Sequence, residues 1–247
     1  MMFKRLFILF SLCTLCFIEL NAMELTGGAD IMSRYVWRGR DFGNSPSIQP
    51  SIEFSAAGFT VGSWGAFSTN SNNFQEHDIY LSYSFLDMFS IGVTDYFFPT
   101  FPLDEFGYKN KYFDYAEETT NHYIEANLNF SGTESFPISI SANVFFYGAD
   151  AKMELDPQFN EYVRGDQYYS TYLELGYSGE INETSYDLFL GMTTGDGLYG
   201  TTLGVVNLGI TAHKEVKITE YYSLPVQASF ITNPQDENIY FVFGISL

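Results

Sequence analysis

The chain has 247 residues, of which 11 are Lys or Arg and 30 are Asp or Glu, so its formal net charge at pH 7 is −19. Because nucleic-acid binding needs a basic face, this charge excludes DNA and RNA as expected partners. Tyr, Phe and Trp make up 19% of the residues. Aromatic side chains at this density are typical of positions between an apolar and an aqueous environment, such as membrane interfaces.

Residues 1–22 have the order of a secretory signal peptide. A short basic head precedes the apolar run LFILFSLCTLCFI, and Ala22 offers a small residue at a cleavage point. This run is shorter than the roughly 20 apolar residues that a spanning helix needs, which disfavours a membrane anchor. Both cysteines, Cys13 and Cys16, lie in this leader. We therefore expect residues 23–247 to form one domain without disulfides.

The rest of the chain alternates apolar and polar residues with a period of two, which is typical of strands with two different faces. In DIYLSYSF, for example, Ile79 and Leu81 share one face, opposite Asp78 and Tyr80. About twelve strands are predicted, at 27–37, 47–56, 58–69, 76–85, 88–98, 119–130, 136–148, 167–178, 184–193, 204–216, 220–232 and 238–247. All twelve are longer than the about five or six residues of a soluble strand. Their length is close to the roughly 9 to 11 residues that a tilted strand needs to cross a bilayer.

The connections between these strands alternate between long and short along the chain. Long outer loops and short periplasmic turns are typical of outer-membrane barrels, and an even strand number places both termini in the periplasm. The sequence therefore predicts an all-β fold, a transmembrane antiparallel up-and-down β-barrel of about 12 strands. A soluble β-sandwich would also alternate, but it would not need twelve long strands with one continuously apolar face.

Strand parity predicts which charged side chains face the lumen of this barrel. The expected inward-facing residues, which would form a constriction, are Arg34, Arg38, Glu53, Asp78, Glu125, Glu174 and Asp187. Ile31, Tyr35 and Trp37 have the opposite parity on the first strand and are expected to face lipid, with Arg40 past the strand in the first outer loop. A charge on the lipid face near the midplane costs on the order of 2–4 kcal/mol, which favours the inward assignment.

Two interpretations of these inward charges stay open. Arginines that meet acidic residues across a narrow pore would set its selectivity. Alternatively, arginine–carboxylate pairs would plug the interior of a small barrel and hold its strands together. A barrel of twelve strands is narrower than the porins of 16–18 strands that have open channels, so the sequence does not decide between them.

The segment 33–67, SRYVWRGRDFGNSPSIQPSIEFSAAGFTVGSWGAF, contains a Ser-x-Tyr-x-x-Arg-Gly stretch, a Pro/Gln segment and a Gly-Phe-x-x-Gly-x-Trp strand. The residues of this pattern are Ser33, Tyr35, Arg38, Gly39, Gln49, Gly58, Phe59, Gly62 and Trp64. The segment resembles the opening of the TorF porin family, with weaker similarity at 91–99 and 240–247. The chain ends in Leu247, whereas many outer-membrane barrels end in an aromatic residue. The resemblance implies an outer-membrane barrel of porin type and supplies no substrate.

Three other segments resemble ligand-binding motifs, but ordinary loops are expected there. GDGLYG at 195–200 has the spacing G-x-G-x-x-G, but a strand pattern follows it rather than a helix, so a loop is favoured over a dinucleotide site. The acid-rich loops 99–118 and 149–166 lack EF-hand spacing and are expected to be solvated rather than to bind calcium. We expect no cofactor and no metal.

Enzymatic activity is the least favoured function. The chain has three histidines, and His122 beside Asn121 would suit a lipid hydrolase on the outer wall of the barrel. No nucleophile motif accompanies it, so no catalysis is expected.

The expected function is an outer-membrane channel for passive diffusion of small solutes or ions. Because acidic residues outnumber Arg34 and Arg38 on the inner face, cations or neutral solutes would be preferred. The alternative is a closed structural or adhesive barrel whose long loops contact partners. Expected partners are outer-membrane lipid and lipopolysaccharide, the barrel-assembly machinery and small solutes; the sequence does not predict an oligomeric state.

Overall fold

The computed structural model describes residues 23–70, 74–100, 110–159 and 161–247. The predicted signal peptide lies outside the described residues, as does the middle of the predicted loop 99–118. The strands are β1 (Glu24–Met32), β2 (Tyr35–Trp37), β3 (Arg40–Phe42), β4 (Ser47–Ala56), β5 (Phe59–Ser68), β6 (Gln75–Phe85), β7 (Phe89–Phe97), β8 (His122–Phe130), β9 (Ile138–Gly148), β10 (Ala151–Asp156), β11 (Glu161–Gln167), β12 (Thr171–Ile181), β13 (Thr184–Thr193), β14 (Gly204–Lys217), β15 (Ser223–Asn233) and β16 (Asn238–Ser246).

Twelve of these strands form one closed antiparallel barrel. Each pairs with the next barrel strand along the chain, from β1 and β4 round to β15 and β16, and β16 pairs with β1 to close the ring. The remaining strands form two separate hairpins, β2–β3 and β10–β11. The prediction of an all-β, twelve-strand antiparallel barrel is confirmed.

The seam between the first and last strands is short. β1 pairs with β4 along its whole length, from Glu24 to Met32, but with β16 from Asp30 to Met32, and two backbone hydrogen bonds between Ala29 and Leu247 continue this pairing by one residue. Just beyond the seam, the N–H of Ser33 donates to the carbonyl of Phe243 at 2.8 Å. The N–H of Phe243 donates in return to the Ser33 hydroxyl at 3.0 Å.

The two ends of the barrel differ. At one end, which we call the short-turn end, β4–β5 and β12–β13 are joined by the two-residue turns Ala57–Gly58 and Asn182–Glu183. All four residues have positive φ angles, as the type I′ turns that match strand twist require. The opposite end, the long-loop end, carries the long connections and both extra hairpins.

The exterior of the barrel is apolar. On β6, Ile79, Leu81 and Tyr83 are exposed, whereas Glu76 and Asp78 on the other face are buried. Every barrel strand exposes at least one large apolar side chain in this way. Such a continuous apolar wall exceeds what a water-soluble surface normally carries, and it is consistent with a bilayer around the barrel.

The first predicted strand is wrong at its C-terminal end. The alternation runs on to residue 37, but the chain leaves the barrel wall after Met32 and forms the β2–β3 hairpin. The alternation of apolar and polar residues continues past Met32 because β2 is itself a strand. It therefore does not show where the barrel strand β1 ends. The other eleven predicted strands each overlap one barrel strand, while β10–β11 lies in a segment predicted to be a loop.

Candidate functional site in the barrel lumen

Residues 33–44 form an inward hairpin, which we call the plug. Its strands pair from Tyr35 with Phe42 to Trp37 with Arg40, leaving Arg38 and Gly39 as a two-residue turn. Both turn residues have positive φ, 49° and 79°. A Cβ atom on Gly39 would also overlap the backbone carbonyl of Val206. Glycine is therefore required by both the turn and the close approach to β14.

The aromatic side chains of the plug lie against the inner wall. The Tyr35 ring is 5.3 Å from the ring of Trp64 on β5, and Tyr35 is only 6% exposed. The Trp37 ring is 5.3 Å from Tyr96 on β7 and 5.7 Å from Tyr199 in the β13–β14 loop. The expectation that Tyr35 and Trp37 face lipid is wrong. The chain turns inward after Met32, so the alternation of these residues distinguishes the two faces of the hairpin and not the two faces of the barrel wall.

Arg38, at the tip of the plug, reaches across the lumen to Glu125 on β8. Two guanidinium nitrogens donate to the two carboxylate oxygens at 2.5 and 3.0 Å. Glu125 also accepts from the hydroxyls of Tyr96 at 3.0 Å and Tyr199 at 2.9 Å, and from the amide of Asn127 at 2.7 Å. Glu125 is completely buried, so its charge is compensated entirely by these donors.

Aromatic rings surround the Arg38 guanidinium. Its carbon lies 4.5 Å from the ring centre of Trp37, 4.6 Å from that of Tyr172 and 5.3 Å from that of Tyr199, within the range of cation–π attraction. Burial alone would lower the pKa of Arg38, but Tyr199 and Glu125 raise it, so the pKa lies well above its ordinary value. The tip of the plug is therefore held as a charged group.

The other two arginines of the plug have separate partners, one within the hairpin and one in the β13–β14 loop. Arg34 donates to Asp41 on β3 at 2.5 Å, and Arg40 donates to the carbonyl of Leu198. Burial raises the pKa of Asp41, although Arg34 offsets part of this rise. The placement of Arg34 and Arg38 on a wall strand is wrong, because both belong to the inward hairpin. Arg40 lies past the first strand, as predicted, but the connection that carries it folds into the lumen instead of outward.

The predicted acidic residues lie on the inner face, and within the described ranges Glu125 is the one that bonds to an arginine across the lumen. Glu53 accepts from the Tyr80 hydroxyl at 2.6 Å. Asp78 is buried on β6, in register with Trp64 and Tyr96. The structure thus brings together one of the predicted arginine–carboxylate pairs rather than a ring of them.

The last two predicted residues, Glu174 and Asp187, line a chamber of about 390 Å³ inside the barrel. The plug contributes one wall through residues 34–36, 38 and 39, and strands β12 to β16 contribute most of the rest. A second cavity of about 280 Å³ at the short-turn end shares His213 and Gln227 with the chamber. The lumen is therefore filled by side chains in its long-loop half and hollow toward the short-turn end.

Several residues of this site were not identified from the sequence. Tyr96, Asn127 and Tyr172 sit on wall strands with inward parity, which could have marked them. Tyr199 belongs to the GDGLYG loop, where strand parity does not apply. Its contact with Arg38 spans 161 positions, and no local pattern in the sequence indicates it.

His122 lies outside the lumen, on the outer face of β8. Its Nδ1 is 2.7 Å from an Asp95 carboxylate oxygen, and its Nε2 is 2.7 Å from the carbonyl of Tyr112. The ring is fully buried and stacks between Phe97 and Tyr115, with centroid distances of 4.7 and 4.1 Å. Both ring nitrogens are engaged, so His122 fastens the segment 110–121 to the wall.

The fold and the site define the class of protein: a closed twelve-strand barrel with an apolar exterior and a polar, partly plugged interior. Residues 20–222 match the sequence profile of Gcw_chp, described as a bacterial protein of unknown function. The chain therefore belongs to the Gcw_chp family. None of the curated proteins matches it. Within the described ranges, no helix is both long and apolar enough to cross a membrane.

Proposed function

We propose that this protein is an outer-membrane, porin-like channel through which small solutes diffuse passively, with the plug as its narrowest part. The observation that carries the proposal is a chamber of about 390 Å³, lined in part by charged and polar side chains, inside a barrel whose exterior is apolar. A barrel that faces lipid outside and polar groups inside is suited to hold water and solutes. The resemblance of residues 33–67 to TorF porins supports the same function.

The proposed orientation follows from the two ends of the barrel. The short-turn end and both chain termini would face the periplasm, and the long loops would face outward. The exposed apolar side chains would contact outer-membrane lipid and lipopolysaccharide, and the barrel-assembly machinery would insert the chain. No catalytic activity is part of this proposal.

The plug itself favours a second candidate, a closed structural or adhesive barrel. Arg38, Glu125 and the rings around them fill the long-loop half of the lumen. On the same end, the β10–β11 hairpin exposes Leu155 and Tyr162, which gives an adhesive barrel a surface for a partner.

Planar-bilayer recording distinguishes the two candidates. The channel proposal predicts small conductance steps for the unmodified protein and larger steps for Arg38→Ala, because the substitution removes the contact that fixes the plug tip to β8. Arg34→Lys is the matched control, since it keeps the positive charge of a plug residue that bonds within the hairpin and leaves the contact between Arg38 and Glu125 in place, so the steps should be nearly unchanged. Absence of steps from the unmodified protein and from Arg38→Ala would favour the closed barrel.

A further inference from the structure

We propose that the chamber binds small organic cations that carry a primary ammonium group on a short apolar chain. This inference rests on the proposed channel for its biological use and names the class of solute that the lumen selects. The binding site consists of the polar side chains of Glu174, Asp187 and Asn207 and of apolar side chains that line the same chamber.

The chamber carries uncompensated negative charge. The two arginines that line it are already paired, Arg34 with Asp41 and Arg38 with Glu125. Glu174 accepts from the Tyr172 hydroxyl and from Asn207 at 3.3 Å. In the described part of the chain, it bonds to no Lys or Arg.

Asp187 is the second carboxylate of the chamber that has mostly neutral partners. It accepts from the Ser178 hydroxyl at 2.6 Å and lies 3.1 Å from Nε2 of His213. Among the residues that the structure places, no lysine or arginine pairs with it. Two carboxylates with mostly neutral partners in one chamber favour a cationic ligand.

Asn207 adds an acceptor that lacks a donor. Its amide nitrogen donates to the Tyr172 hydroxyl at 2.8 Å and to Glu174, which fixes the orientation of the amide. Its side-chain oxygen accepts no hydrogen bond from the described residues, although Asn207 is only 6% exposed. A buried acceptor without a donor is uncommon. A primary ammonium group has three N–H donors, enough to serve both this oxygen and the Glu174 carboxylate.

Apolar side chains also line the chamber. Phe189, Ile231 and Val242 line it, and Met32 packs with them. A volume of about 390 Å³ corresponds to roughly a dozen liquid water molecules. The chamber therefore has room for a short alkylamine or amino alcohol together with water, with the carbon chain against these apolar side chains.

The entrance to the chamber has the same charge preference. The cavity at the short-turn end is lined by Glu180, Glu183 and Glu215, with Lys214 as its basic residue. Negative charge around an opening raises the local concentration of cations and their rate of entry. Amines would thus enter from the short-turn end.

The test is calorimetric titration of the full-length protein in detergent micelles with n-butylammonium, and with n-butanol and butyrate as ligands of matched size. We expect the amine to bind at least about tenfold more tightly than the alcohol, since a hydrogen bond to a charged group is worth that much. Butyrate should not bind. Equal affinity for butanol and butylammonium would overturn the proposal.

Variants locate the binding. Glu174→Gln should weaken butylammonium binding about tenfold or more, and Asp187→Asn should also weaken it. Glu53→Gln is the matched control, because Glu53 is likewise an inward carboxylate bonded by a tyrosine but lies outside the chamber lining. It should bind as the unmodified protein does. Wild-type affinity in both Glu174→Gln and Asp187→Asn, or equal losses in all three variants, would contradict the site.

This test separates the site from the channel. Amine binding without conductance in planar bilayers would overturn the channel and support the site. Conductance with no amine binding would support the channel and overturn the site.

Discussion

Replacing Arg38 with alanine is the most informative perturbation of this barrel. The substitution removes the charged tip of the plug and leaves the Glu125 carboxylate fully buried without its cation. The strand pairing of the hairpin does not depend on this side chain and stays in place, although alanine must adopt the positive φ of this position. The result therefore reports how strongly the Arg38–Glu125 pair holds the plug inside the lumen.

The magnitude follows from the contacts of Glu125. Removing one partner of a buried ion pair costs about 3–5 kcal/mol. Tyr96, Tyr199 and Asn127 continue to donate to the carboxylate, so we expect the lower end of this range, about 3 kcal/mol. In Arg38→Ala/Glu125→Gln the buried charge is gone as well, and the loss should fall to about 1 kcal/mol. Arg34→Ala, which breaks a partly exposed pair, should cost about 1 kcal/mol or less.

Urea unfolding of the protein in lipid vesicles measures these differences, with tryptophan fluorescence as the signal. The chain has two tryptophans, Trp37 in the plug and Trp64 against Tyr35, so the fluorescence also reports the position of the plug. If Arg38→Ala unfolds within about 0.5 kcal/mol of the unmodified protein and its emission is unchanged, the pair does not hold the plug.

Three further substitutions test other parts of the structure. Gly39→Ala should destabilise the plug by about 2 kcal/mol or more, because alanine meets both a positive φ and the carbonyl of Val206; an unchanged unfolding curve would contradict this. His122→Gln should make trypsin cleave after the exposed Lys111 about tenfold faster, since the segment 110–121 loses hydrogen bonds and ring stacking, and an unchanged rate would show that the segment is held elsewhere. Leu128→Arg, which places a charge on the outer face of β8, should cost about 2–4 kcal/mol in vesicles; a neutral effect there would count against burial of this face in lipid.

The barrel was predictable because its strands are long and their two faces meet opposite environments. A period of two persists over strands such as β6, where Ile79 and Leu81 alternate with Asp78 and Tyr80. A shift of one residue would turn every side chain to the other face, so the pattern fixes the orientation of a whole strand. This is why the inward parity of Glu125 and Glu174 could be read without a structure.

The plug was not predictable by the same means. Tyr35 and Trp37 alternate as a wall strand would, and the only local sign of a turn is Gly39 after Arg38. The parity of a residue predicts which face of its strand it lies on, but not which residue it contacts. The pairing of Arg38 with Glu125 depends on contacts 87 positions apart, and that of Arg38 with Tyr199 on a loop whose path no periodicity describes.

The short seam between β1 and β16 has a consequence for how the barrel forms. The last strand must find the first across most of the chain, and the contact between Ser33 and Phe243 joins residues 210 positions apart, so closure is the most non-local step of folding. Ser33 is also the first residue of the plug. Seating the hairpin and completing the ring are therefore coupled through one residue. A chain whose hairpin stays outside would leave β1 and β16 with incompletely paired edges, open to strands from another molecule.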